Sequence, residues 1–344
     1  MGCVRTGFNS QHPDQKTYFL LPRIMSKELA FGVSTATFIC AENPPYFRYI
    51  PEVEAAISSA KSLGIGVEVV YRNKAQRKII EECQKSGVPV LQVHGPIFYD
   101  FNEGLRAGLN EPSKSWVLIN PLLDFLALGS LRNDFGKSVS FAKRLGASSM
   151  VLHPRGAEIL YKKGLIHASE EGDFSLAIEP DWRRPGKSGY WLWRPEKVLE
   201  IAHQANVGIC MDSSHTSMSL NSVDHLVEVY EKYKKAPRGV VSVHLAAVIP
   251  GKEAYWILGR KQAGLPLDPK YIPPHVWGAF REFYQHIRMD NFLGPVIIEL
   301  FIFPNGYSLE QRKKAVEVTL NSLQSWKNNE SSVSLPGKVI SRPI

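Results

Sequence analysis

The residue types able to do chemistry recur in one place, at the end of a short apolar run. His94 closes Val88-Pro89-Val90-Leu91-Gln92-Val93-His94, His153 closes Ser148 to His153, and Glu179 closes Phe174 to Glu179. Asp212 closes Gly208-Ile209-Cys210-Met211-Asp212, with His215 three residues on. His244 ends Gly239 to His244, and Glu299 stands near the end of Pro295 to Leu300. Imidazole and carboxylate together suit Zn²⁺, Mn²⁺, Co²⁺ or related ions, whereas an all-oxygen set suits Mg²⁺. Each residue taken singly has a plain structural explanation. A histidine can be a satisfied core residue, a glutamate can pair with an arginine, and Asp212 can cap the helix that follows it. Six runs in succession ending in such groups point to a shared metal site.

For these ends to meet, the runs must be neighbouring strands of one sheet. Two further strands precede them, Leu29 to Thr35 and Val67-Glu68-Val69-Val70-Tyr71. Between the strands, apolar residues at helical spacing predict helices over Pro51 to Leu63, Lys74 to Lys85, Phe135 to Leu145, Pro195 to Ala205, Val223 to Lys235 and Trp277 to Ile287. Ser308 to Trp326 predicts a closing helix. Eight near-continuous Val/Ile/Leu strands alternating with helices predict a single (β/α)₈ barrel of the α/β class, whose ligands sit at the carboxyl ends of its strands. A doubly wound open sheet is the second choice. It usually announces a glycine-rich phosphate turn after its first strand, and Gly32-Val33-Ser34-Thr35 is not one. The expected organisation is a tail over 1–27, the barrel over 28–327, and a Ser-, Asn- and Lys-rich disordered tail over 328–344.

Composition narrows the classes. The 344 residues are 44% hydrophobic and 22% charged, as in ordinary globular proteins. No apolar run approaches the roughly 18 residues that cross a membrane, and the first residues are no secretory signal. Four cysteines without a CxxC pair make no disulfide framework, so a reducing cytoplasm is the expected setting. The net charge of +8 permits an anionic substrate without requiring one.

The runs Val93-His94-Gly95-Pro96, Leu152-His153-Pro154, Ala177-Ile178-Glu179-Pro180, Met211-Asp212-Ser213-Ser214-His215, Val243-His244-Leu245 and Ile298-Glu299-Leu300 resemble the xylose-isomerase-like TIM-barrel superfamily. That group holds sugar isomerases, epimerases and endonuclease IV-type nucleases. The resemblance runs from about Leu29 to Trp326. It implies a divalent ion held by Glu179, Asp212, His244 and Glu299, with His215 on a substrate oxygen. In the nuclease members it implies a second ion, bridged by Glu179 and held by His94 and His153. A third ion there uses His215 and an Asp-x-His pair after the seventh strand. Leu245 to Pro274 contains Asp268 but no histidine, so this chain departs from the nuclease pattern.

The leading expectation is therefore a metal-dependent isomerase or epimerase of a small sugar or sugar phosphate. Glu179 and Glu299 would be the catalytic pair that moves a proton through an enediolate stabilised by the ion. Arg155 would meet a substrate phosphate or carboxylate, or form a surface salt bridge; Lys252 is a weaker candidate for the same role. The loop from Trp182 to Arg194 interleaves three Trp and a Tyr with Arg183, Arg184, Lys187 and Arg194. It reads first as a lid whose Trp182 stacks on a sugar face, and second as a grip on an opened nucleic-acid strand. A metal-dependent phosphodiesterase acting on damaged DNA is thus the alternative function, and an accessory barrel without catalysis a third. Barrels of this kind often pair through exposed helix faces, which makes a homo-oligomer a candidate assembly.

Overall fold

A computed structural model describes residues 29–38, 49–72, 75–95, 134–154, 174–180, 194–249, 263–270, 272–300 and 308–328, with Ala157, Tyr161 and Ile166. Eight parallel strands close into a barrel in the order β1-β10-β7-β6-β5-β4-β3-β2. They are β1 (Phe31–Ser34), β2 (Gly66–Val70), β3 (Val90–His94), β4 (Ser149–Leu152), β5 (Ser175–Ile178), β6 (Gly208–Asp212), β7 (Val240–Leu245) and β10 (Val296–Ile298). Closure rules out the open doubly wound sheet. Every expected strand is present, with its ends moved by a residue or two, because the last side chains of a run continue past the final ladder pair.

The helices follow the same pattern. They are α1 (Tyr49–Leu63), α2 (Gln76–Ser86), α3 (134–145), α4 (Pro195–Ala205), α5 (Ser213–Leu220), α6 (Leu226–Tyr233), α7 (Pro274–Met289) and α8 (Leu309–Asn328). In α2, Ile79, Ile80 and Cys83 are buried at the spacing of one helical face, and Gly87 ends the helix at φ 70°. In α4, Pro195 starts the helix, where its missing N–H goes unused, and Asn206 ends it in the left-handed region. The sequence reading assigned no residues to two elements. One is α5, whose run Ser213-Ser214-His215-Thr216-Ser217-Met218-Ser219-Leu220 carries no apolar stripe. The other is an antiparallel ribbon of β8 (Ala247–Val248) and β9 (Ala263–Leu265) beyond β7.

The main core lies between barrel and helices, where α8 seals it with Trp326 packed edge-on against Trp277 at 4.6 Å between ring centres. Inside the barrel the floor is apolar and tight. Register shifts on β3 and β7 accompany close packing of Leu91 and Val241 onto glycines of the neighbouring strands. At Gly66 an added Cβ would stand 2.5 Å from Leu91 Cγ and 2.9 Å from the Pro89 carbonyl oxygen. Gly66→Ala is therefore expected to destabilise the barrel by about 1–3 kcal/mol through overpacking. Urea unfolding should show this as a lower midpoint at unchanged slope. Above the floor the interior turns polar, with Ser34, Glu68, Gln92, Ser149 and Ser242 all buried.

Among the described residues, no helix is long and apolar enough to cross a membrane. Both tails, apart from the end of α8, lie outside the described residues, as do the long connection after β3, Arg155, the loop carrying Trp182, and Lys252.

Candidate metal centre

The strand ends deliver their side chains to one place. Glu179, Asp212, His244 and Glu299 each offer one ligand atom, and these four atoms all lie within 4.8 Å of one another. Their strands β5, β6, β7 and β10 are consecutive around the barrel, so the group covers half of its mouth. His94 and His153, from β3 and β4, form a second group with Glu179 by the same measure. All six residues are buried. The sequence expectation that these groups converge matches the geometry.

The backbone beyond each strand holds the ligands in register. Glu179 N–H donates to the Leu152 carbonyl at 2.9 Å, and Glu299 N–H to the Leu245 carbonyl at 3.3 Å. Thr37 ties the end of β10 to the segment after β1, accepting from Leu300 N–H at 2.9 Å. Its own carbonyl accepts from the buried Arg312 guanidinium at 2.8 Å. These bonds fix the Glu299 backbone from both sides.

Asp212 does two jobs at once. Its Oδ1 accepts from His215 N–H at 2.5 Å and from Ser214 Oγ at 2.8 Å, capping α5. Its Oδ2 faces the cluster, 4.0 Å from His244 Nδ1. The capping role and the ligand-type placement coexist because a carboxylate has two oxygens. His215 lies in the first turn of α5, its Nδ1 2.9 Å from the Pro180 carbonyl and 3.2 Å from Glu179 Oε1.

Glu179 is the hub. Its Oε2 lies 3.2 Å from His94 Nε2 and 3.5 Å from His244 Nδ1. Burial alone would raise its carboxyl, but the His244, His215 and His94 rings outweigh burial and hold it well below the usual carboxylate range. Glu299 differs: burial dominates, with the Glu179 and Glu68 charges adding to it against His244, and the carboxyl rises to about 6. His94 resists burial because Glu179 bonds to it and Glu68 and Glu299 lie near, and its cation persists up to about pH 9. His244 likewise stands well above its ordinary value, burial being outweighed by the acidic groups around it. Two histidine protons thus offset part of the carboxylate charge of the metal-free site.

The donor set fits a divalent cation. His244 Nδ1 and Glu299 Oε2 face each other at 2.6 Å without the alignment of a hydrogen bond, both buried and aimed toward one point. Buried polar atoms of this kind are expected to have a partner, and a cation held by both residues would supply it. Three carboxylates and one imidazole match the preferences of Mn²⁺, Mg²⁺ or Co²⁺, whereas the His94–His153–Glu179 group is richer in nitrogen and closer to those of Zn²⁺. Cys210 also lies beside Glu179 and His244, and in the metal-free site burial pushes its thiol up to about 12.

The sequence reading missed Glu68 and Gln92, which sit beneath His244. A signal was present: a carboxylate in the middle of the otherwise apolar β2, on a fold that buries both faces of its strands.

No protein-family model matches the chain, and neither does any curated protein. Solved structures do. An L-ribulose 3-epimerase superimposes with a TM-score of 0.56 at 13% identity, over 90% of this chain and 100% of the other. A D-tagatose 3-epimerase-like protein gives 0.54 at 15%, over 88% and 99%. A xylose isomerase domain protein from Alicyclobacillus acidocaldarius gives 0.53 at 13%, over 88% and 100%. At these identities the likeness is one of fold, the closed barrel of eight parallel strands.

Proposed function

We propose that this xylose-isomerase-like barrel is a divalent-metal-dependent isomerase or epimerase of a small sugar-like substrate. Glu179, Asp212, His244 and Glu299 would hold the ion. One observation carries the reading: three carboxylates and an imidazole, from four neighbouring strands, present ligand atoms within 4.8 Å of each other at the barrel mouth. Fold relatives named for 3-epimerisation of sugars add support for the substrate class.

A divalent ion at this place supplies Lewis acidity toward a carbonyl. The chain's own residues supply the proton traffic. Glu179 and Glu299 stand three strands apart around the mouth, so their carboxylates approach a substrate from different sides. One takes the proton from the carbon beside the carbonyl and the other returns a proton on the opposite face, which inverts that centre. His215, held through Nδ1, would orient a substrate hydroxyl. Arg155 would meet a substrate phosphate or carboxylate and Trp182 would stack on a sugar face, as expected from the sequence.

Metal content and turnover test this together. The full chain, purified without added metal, is expected to carry about one Mn²⁺, Co²⁺ or Mg²⁺ by mass spectrometry, and Glu179→Ala is expected to carry none. The loaded protein should then interconvert members of a ketose and aldose panel. Two tightly bound Zn²⁺ with cleavage of abasic DNA would replace the sugar reading by the phosphodiesterase one. No bound metal under any loading condition would end both.

A further inference from the structure

Glu68 lies in the middle of β2, fully buried, one layer below the barrel mouth. Its Oε2 is 2.8 Å from His244 Nε2 and 2.6 Å from Gln92 Nε2. We propose that Glu68 is a positioning residue for the ion, acting through His244 and itself fixed by Gln92. The inference rests on the metal reading given above.

The geometry of His244 carries the proposal. Its two ring nitrogens face different partners. Nδ1 is the atom turned to the cluster, 2.6 Å from Glu299 Oε2, 3.5 Å from Glu179 Oε2 and 4.0 Å from Asp212 Oδ2. Nε2 is turned away from the mouth, onto Glu68. A neutral imidazole carries one N–H and one lone pair, and an ionised carboxylate only accepts. Glu68 therefore places the hydrogen on Nε2, which leaves the lone pair on Nδ1, where an ion needs it. An N–H aimed at a carboxylate also makes the other nitrogen a stronger donor.

Gln92 keeps Glu68 in this role. Its Oε1 accepts from Ser149 Oγ at 3.3 Å, which sets the amide so that its NH₂ points to Glu68. Oε2 of Glu68 thus receives two N–H donors, one from each neighbour. Gln92 Nε2 also stands 2.8 Å from His244 Nε2, so the three side chains meet around that oxygen. The chain Ser149–Gln92–Glu68–His244 crosses the interior from β4 to β7 and ends at the cluster.

A packing role does not explain this residue. A buried carboxylate carries a desolvation cost, and replacing buried ionic groups by apolar ones of similar volume is often neutral or stabilising. Methionine would fill the same space.

The test uses Mn²⁺ as the probe on the full chain, following free Mn²⁺ by electron paramagnetic resonance during titration. Glu68→Met is expected to weaken Mn²⁺ binding by roughly 10- to 100-fold. Glu68→Gln, which keeps an oxygen acceptor without the charge, should fall between it and the wild type. The metal-free variants should unfold in urea somewhat earlier than the wild type, because His244 and Gln92 lose a buried partner, but still in one cooperative transition with a folded baseline under the titration conditions, which separates positioning from loss of fold. If Glu68→Met does not fold, Glu68→Gln alone carries the comparison. In the Co²⁺-loaded proteins the visible absorption bands should shift in both variants, which a packing defect remote from the ion would not produce. Equal Mn²⁺ affinities and unshifted Co²⁺ bands would overturn this inference and leave the metal reading standing. A wild-type protein that takes up no Mn²⁺ would overturn the metal reading, and this inference with it.

Discussion

At saturating Mn²⁺, Glu299→Gln and Glu179→Gln are each expected to lower kcat on the sugar substrate by roughly 10²- to 10⁴-fold, the range general acid–base catalysis supplies. Glutamine keeps an oxygen that can still face the ion, so the substitution removes the proton carrier more completely than the ligand. Excess metal then compensates the weaker binding and leaves the proton step exposed. The two carboxyls differ before any substrate arrives: Glu179 is held well below the usual range by three rings, while burial lifts Glu299 to about 6. Paired titratable groups pushed apart in this way are suited to opposite roles. The diagnostic readout is exchange with deuterated solvent. Each single variant should still wash deuterium into the epimer whose proton faces the remaining carboxylate, without forming the other epimer. Turnover within tenfold of the wild type in both variants would exclude this pair as the proton carriers.

Much of this site was legible because a parallel barrel ties function to a position that sequence marks. A strand buried on both faces reads as an unbroken apolar run, so the residue that ends it stands out; His94, His153, Glu179, Asp212 and His244 were all visible on that ground. What lay inside the runs was not. Glu68 and Gln92 have side chains that point into the barrel from mid-strand, and their partners come from strands distant in sequence: 176 residues separate Glu68 from His244. No local pattern specifies such a pairing. The helix α5 was missed for a different reason. Its start is set by the Asp212 cap, and its residues are buried nearly all round, so no amphipathic stripe announces it. The ribbon of β8 and β9 has strands of two and three residues, too short for period-two alternation to register.

Removing the ion should abolish turnover yet leave a folded barrel, and its effect on stability should depend on pH in a stated direction. In the metal-free protein, His94 and His244 carry the charge that balances Glu179 and Glu68. Their protons are held more tightly in the folded state, His94 up to about 9 against an ordinary 6.5. A group whose folded value is raised contributes stability that is fully present below 6.5 and is lost as pH climbs through about 9. The chelated protein should therefore melt at lower temperature as pH rises across that window. In the loaded protein the His244 share of this loss is absent, because the ion displaces the His244 proton from Nδ1, and apparent binding therefore strengthens by up to about tenfold per pH unit across the window. At a fixed free metal concentration 1,000-fold above Kd, binding adds roughly 4 kcal/mol, and this gain should widen as pH increases. Differential scanning calorimetry of chelated and Mn²⁺-loaded protein at pH values spanning the window would read both trends. Parallel melting curves, with a constant gap between the two forms, would mean that protons and the ion do not compete for His244.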